Sequence, residues 1–402
     1  MFMDAIPRRL SPVRPAILDL EPNGIAKVAM LALGEPDLLP LWFGETDLKT
    51  PDFICNAAKK ALDDGFTFYT HPRGIAPLRE AIRDFHRRTL NAEISLDRIT
   101  VPGAAMLAVI EALQCVIEAG DNVVCVSPVW PNIFQAAQIT GADVKFCRLQ
   151  EDWTALRWRL DLDKLFDTCD ARTKAIFIAS PGNPTGWIMS PEEQRAALEF
   201  CRPRGIAIIS DEVYGTLVYD GAPHAPSFLQ VAEPDDAVFV VNSFSKPWAM
   251  TGWRIGWLAH PAYIAEQMSV LAMSNNTGAT TFAQWGAVAA LSSQGDAFRS
   301  FLLERCREGY EITRRFVDSQ NRIRWMPPQG AFYGFLHVDG MRDSFGFACD
   351  LVRNARVGVA PGSAFAPPED TASDSYIRIC FAQNPERLQT GLERLSAAVA
   401  AL

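Results

Sequence analysis

Between about residues 120 and 260 the chain alternates short, almost unbroken apolar runs with longer stretches in which apolar positions recur at helical spacing. The short runs predict strands at 123–127, 144–149, 175–180, 206–210, 237–242 and 254–259. The longer stretches predict helices at 76–89, 106–119 and 191–202, and one long helix over 261–291. Continuous apolar strands separated by helices are expected of βαβ units around a mostly parallel sheet whose two faces are both covered, an α/β fold. The rhythm changes after about residue 295, where a helix rich in Arg and Glu is followed by shorter strands at 334–338 and 376–381 and a closing helix. This pattern predicts a large domain over 46–293 and a smaller α+β domain built from 1–45 and 294–402. No internal repeat or low-complexity tract interrupts it.

Ligands of open parallel sheets bind beyond the carboxyl ends of the strands, and the polar clusters of this sequence fall at those ends. Run 175–180 leads into S-P-G-N-P-T-G, run 206–210 into D-E-V-Y, and run 237–242 into S-F-S-K. The expected consequence is that Asn183, Asp211, Tyr214 and Lys246 meet at one edge of the sheet.

Composition narrows the partners. The 402 residues carry 38 Lys and Arg against 47 Asp and Glu, a formal net charge of -9, with no basic run. That leaves no electrostatic footprint for nucleic acid or an anionic membrane and points to small molecules. The nine cysteines are scattered singly with no C-x-x-C, as expected of buried free thiols in a reducing compartment, and the five histidines show no ligand spacing for a metal. The opening M-F-M-D-A-I-P-R-R-L-S-P has no signal-peptide character and no run of about 18 apolar residues occurs, so a cytoplasmic protein is expected.

Each polar piece has an ordinary reading by itself. S-P-G-N-P-T-G is a plausible double turn, Asp211 a helix cap, Tyr214 a packed aromatic and Arg254 a surface charge. As a set they are what pyridoxal phosphate requires: a lysine for a Schiff base, a carboxylate for the ring nitrogen, donors for the phenolate oxygen, and hydroxyls, amides and an arginine for the phosphate.

With S-F-S-K at 243–246, Arg254 in G-W-R-I-G, D-E-V-Y and N-P-T-G, the chain resembles the class I and II aminotransferases of the fold type I pyridoxal-phosphate enzymes over nearly its whole length. The resemblance implies a three-layer sandwich around the sheet, and it implies roles for residues. Lys246 becomes the Schiff-base lysine and general base. Ser243, Ser245 and Arg254 hold the phosphate, helped by the turn Gly103-Ala104-Ala105 that opens a helix. Asp211 partners the ring nitrogen, Asn183 and Tyr214 the phenolate oxygen, and Trp130 stacks on the ring. Arg378, in Y-I-R-I-C-F, binds the substrate α-carboxylate, with Asn183 and Trp130 beside it. Tyr69 reaches the phosphate of a neighbouring subunit, which implies a homodimer with shared active sites. Of two similar blocks, G-E-P-D at 34–37 and G-E-T-D at 44–47, only the second precedes T-P-D-F-I, so Gly44 is assigned to the substrate and Thr46 departs from the family's proline.

The implied reaction moves the amino group of an L-amino acid to a 2-oxo acid with ping-pong kinetics. Two rivals share these residues: a C-S β-lyase, which makes pyruvate and ammonia without an acceptor, and a non-catalytic cofactor-binding regulator, for which few residues precede G-E-T-D. Ala105 stands where some relatives with acidic substrates carry a lysine, so that route to a second carboxylate is absent, and an arginine from the partner subunit could supply it. Trp42, Phe43 and Trp130 suit bulky apolar side chains.

Overall fold

A computed structural model describes residues 12–402; the opening stretch 1–11, in which no signal was read, lies outside the described residues. A seven-stranded sheet runs through the core, made of β1 (Ile99–Gly103), β2 (Asn122–Ser127), β3 (Asp143–Arg148), β4 (Thr173–Ala179), β5 (Ala207–Asp211), β6 (Val238–Ser243) and β7 (Gly256–Ala259). Its order is β1-β7-β6-β5-β4-β2-β3. The pairs among β3, β2, β4, β5 and β6 are parallel, and β7 alone runs antiparallel to both its neighbours. Helices flank the sheet, as the alternating pattern predicts. Strands β1, β2, β6 and β7 are buried along their whole length, whereas the edge strand β3 is only half-buried and carries Asp143, Lys145 and Arg148. Charges on an edge discourage pairing with another chain.

A separate four-stranded antiparallel sheet has the order Ile323–Trp325, Tyr333–Val338, Tyr376–Cys380, Ala360–Pro361. The N-terminal segment joins this region. Leu39–Pro40 pairs in parallel with Val357–Gly358, and the amide of Cys380 donates to the Leu41 carbonyl at 2.8 Å.

The structure corrects two elements and adds a strand. The helix expected over 261–291 is two helices, Ala265–Asn276 and Thr281–Ala290, because Thr277 and Gly278 turn through the left-handed region at φ 63° and 103°. The strand expected from Arg254 begins at Gly256, since Arg254 is itself left-handed at φ 51°. Strand β1 was not anticipated. Its Pro102 and Gly103 disguise it, and its edge position tolerates a residue without an N–H. All nine cysteines are free, but only six are buried and Cys115 lies exposed. Among the described residues no helix is long and apolar enough to cross a membrane.

Gly256 is where three elements crowd together. It pairs with both Ser243 and Gly103, and a Cβ there would sit 2.5 Å from the Asn242 carbonyl oxygen and 3.0 Å from the Ala105 nitrogen. All these are backbone atoms, so no side-chain movement makes room. Gly256→Ala is expected to destabilise the fold by about 1–3 kcal/mol, read from urea denaturation.

Candidate active site

Strand register explains why the polar strand ends converge. Ala179 pairs with Asp211 and Asp211 with Val241, so these residues form one row across β4, β5 and β6, about 4.8 Å apart from strand to strand. Beyond the row opens a cavity of about 240 Å³. Of the residues singled out in the sequence, Gly44, Ala105, Trp130, Asn183, Asp211, Tyr214, Ser243, Ser245, Lys246 and Arg254 line it. Arg378 reaches it through Asn183.

The Lys246 Nζ donates to the Gly44 carbonyl at 2.5 Å. Removal from water is the largest influence on this amine and lowers its pKa from 10.5 to about 8. Asp211 accepts a hydrogen bond on Oδ1 from the Val213 amide at 3.2 Å, and burial raises its carboxyl from 3.8 to about 6. Tyr214 and Tyr333 touch hydroxyl to hydroxyl at 2.6 Å, and burial pushes both phenols above their ordinary range.

Arg378 is fully buried. Its Nη1 donates to Asn183 Oδ1 at 2.8 Å, its Nη2 to the Trp42 carbonyl, and its Nε has no partner. The guanidinium lies over the Tyr333 ring at 4.4 Å, with Phe365 at 5.0 Å and Trp130 at 5.7 Å. With its amide oxygen taken by Arg378, Asn183 has its amide nitrogen left to donate into the cavity.

Ser243, Ser245 and Arg254 line the same cavity as the start of helix Ala105–Val116. Ala104 caps that helix without a side-chain bond, so the first amides are unsatisfied and carry the positive end of the helix dipole. Gly103 ends β1 at φ 130°, a backbone shape that favours glycine. Gly103 and Ala104 shape this turn without lining the cavity. Gly44 lines it, whereas Gly34 of the first G-E-P-D block does not.

Tyr69 is not brought to this cavity. It is 88% exposed and lines a surface hollow with Phe68, Asn276 and Phe282. The sequence reading missed Tyr333, the Trp42 carbonyl and Asn132. Nothing local marks Tyr333, whose strand belongs to the other sheet.

The residues present fit pyridoxal phosphate. The cavity offers hydroxyls, an arginine and free helix amides for a phosphate, and a desolvated amine for an aldehyde. Asp211 also lines the cavity, with one carboxylate oxygen bonded to the Val213 amide and the other available for a ring nitrogen. The Arg378 guanidinium, bonded to Asn183 through Nη1 and unpartnered at Nε, suits a further carboxylate.

Comparison with known proteins gives the family independently of the site residues. Residues 36–395 match the family model described as aminotransferase class I and II. A probable aspartate/prephenate aminotransferase of Aquifex aeolicus is 34% identical over 382 residues, covering 93% of this chain and 94% of the relative. An aspartate aminotransferase of Thermotoga maritima is 32% identical over 390 residues, covering 97% and 98%. Among solved structures, a mutant of Thermus thermophilus aspartate aminotransferase superposes with a TM-score of 0.88 at 28% identity, covering 97% of this chain and all of that one. A match over this length, together with a lysine, a carboxylate, a tyrosine and a buried arginine around one cavity at the strand ends, makes this chain a member of the class I and II aminotransferases, fold type I enzymes that work with pyridoxal phosphate.

Proposed function

We propose that the cavity beyond β4, β5 and β6 is the transamination site, with Lys246 as its acid-base group. The observation that carries this is the enclosure of the Lys246 amine beside Asp211, Tyr214 and the Arg378–Asn183 pair. Pyridoxal phosphate, when bound, supplies an aldehyde carbon for the amine and a ring that accepts electrons.

The chain's own residues supply the rest. Lys246, lowered to about 8, has a substantial neutral fraction near physiological pH and takes the proton from the substrate α-carbon, returning it one step later. Asp211 is ionised above about 6 and holds a proton at the ring nitrogen. Tyr214 and Asn183 donate to the phenolate oxygen. Ser243, Ser245, Arg254 and the free amides around Ala105 hold the phosphate, with Gly103 and Ala104 shaping the turn, and Trp130 covers the ring. Arg378 grips the α-carboxylate, and Gly44 closes the same end.

Two half-reactions through one site give ping-pong kinetics. We further assign 46–293 to cofactor binding, and 1–45 with 294–402 to substrate closure. The exposed Phe68 and Tyr69 are assigned to a homodimer interface at which Tyr69 serves the other protomer, in a cytoplasmic enzyme of amino acid biosynthesis. The relatives' names span aspartate, prephenate and aromatic substrates. This chain's cavity supplies Met106, Val109 and Trp130 as apolar walls, which suits a bulky apolar donor.

A scan of amino donors with 2-oxoglutarate, pyruvate and oxaloacetate, following product oxo acid, tests the assignment. Exchange that needs an acceptor supports it. Pyruvate and ammonia released without an acceptor would make the chain a lyase instead.

Arg378→Lys tests the clamp. A lysine keeps the charge but cannot form the two parallel bonds of a guanidinium. KM is expected to rise about 10- to 100-fold for every donor alike, with the visible absorbance of bound cofactor unchanged. A loss confined to some donors would make Arg378 a reader of side chains.

A further inference from the structure

Tyr333 touches three of the groups assigned above, of which only Arg378 shares its sheet. Its hydroxyl lies 2.6 Å from that of Tyr214, and its ring lies under Arg378 at 4.4 Å. Its oxygen also occupies the place a side chain of residue 44 would take, since a Cβ on Gly44 would come within 2.0 Å of it. Gly44 in turn accepts from Lys246. The strand position of Tyr333 explains this reach: it pairs with Cys380, and the next-but-one residue on its strand, Phe335, pairs with Arg378.

Two buried phenols that both stay protonated have two protons and one shared contact. Tyr333 is 0% exposed and Tyr214 4%. Both tyrosines line the cavity, but if Tyr214 donated to Tyr333 it would show the cavity only lone pairs and could not donate to a phenolate oxygen. If Tyr333 donates, its proton is satisfied and the Tyr214 proton is free to point outward. A donor behind a donor also strengthens the outer bond.

We propose that Tyr333 is a positioning residue, whose hydroxyl donates to Tyr214 and so aims the Tyr214 hydroxyl into the cavity, while its ring holds the Arg378 guanidinium flat. The proposal rests on the reading of Tyr214 as the donor to the cofactor's phenolate oxygen. It separates into two functions of one side chain, hydroxyl and ring, and two substitutions separate them. The titratable groups around Tyr333 are Arg378, Cys380, Tyr214 and Asp211, all of which these substitutions retain.

The experiment is a pH titration of the visible absorbance of the cofactor-loaded enzyme, with KM, kcat and the Kd of propanoate, a carboxylate that cannot react. In Tyr333→Phe the phenolate oxygen loses part of its donor, so the electron-rich form is less stabilised and binds its proton more tightly. The titration is expected to move upward by about half a unit, about threefold in proton affinity, with KM and propanoate binding within about twofold of wild type. In Tyr333→Leu, which also removes the ring, propanoate binding and donor KM are expected to weaken by about tenfold. In a Tyr214→Phe background, Tyr333→Phe is expected to add no further shift.

An unchanged titration in Tyr333→Phe would overturn the proposal, as would the same shift with and without the Tyr214 hydroxyl. An unchanged titration in Tyr214→Phe itself would instead remove the role assigned to Tyr214, and the proposal with it. Should Tyr333→Leu fail to fold, the Phe variant and the double variant still decide.

Discussion

Asp211→Asn is expected to lose turnover by about 10²- to 10⁴-fold, while the cofactor-free chain becomes more stable above pH 6. The two effects have one origin. The carboxyl of Asp211 is held away from water at the end of β5, and burial raises it from 3.8 to about 6. A carboxyl raised in the folded state leaves the protein most stable below the unfolded value. Stability is then lost as pH climbs from about 4 to about 6, and the deficit stays constant above that. The size is on the order of 1–3 kcal/mol, discounted for the water that reaches the carboxyl through the cavity.

Asparagine has the same shape and keeps an oxygen for the Val213 amide, but it carries no charge to bury. It also cannot hold a proton at a ring nitrogen. Thermal unfolding of the cofactor-free proteins at pH 4 and pH 8 checks the first effect. The variant should gain on the wild type at pH 8 and match it at pH 4. Single-turnover kinetics of the loaded proteins check the second. Near-normal turnover would remove Asp211 from the reaction, and equal stability at both pH values would mean the carboxyl is not desolvated.

That residue was legible in the sequence for a physical reason that did not extend to Tyr333. Asp211, Asn183 and Lys246 each follow a short apolar run, and in a parallel sheet the ends of such runs are forced into one row by backbone pairing, as Ala179, Asp211 and Val241 show. Sequence order therefore becomes spatial proximity by rule. No such rule brings Tyr333 to Tyr214, because Tyr333 lies on the four-stranded sheet and Tyr214 in the turn beyond β5, and only the packing of the two regions sets their distance.

Backbone shape hid other features. Arg254 and Thr277 adopt positive φ, which their side chains do not advertise, so the strand expected from 254 begins two residues later and the long helix expected over 261–291 is broken in two. The Trp42 carbonyl that binds Arg378 has no sequence signature at all, since every residue carries a carbonyl. The family resemblance supplied the roles of Arg378 and Tyr69; strand ends alone pointed to neither.

Tyr69 carries the remaining large expected effect. In a single chain it is 88% exposed beside Phe68 at 81%, an unusual setting for two large rings, and it does not line the cavity that holds Lys246. On the shared-site reading a complete site takes Lys246 from one protomer and Tyr69 from its partner. Lys246→Ala alone is expected to lose activity by at least about 10⁴-fold, because the acid-base group is gone, and Tyr69→Ala alone by about 10-fold or more through a lost phosphate contact. A hybrid dimer of the two variants places both defects in one site and leaves the other with every catalytic group intact. Hybrids purified by two different affinity tags should therefore recover about half the wild-type activity. Were Tyr69 to serve its own chain, one site of the hybrid would lack Lys246 and the other Tyr69. The hybrid would then be no more active than the Tyr69→Ala parent, and the shared-site assignment would fall.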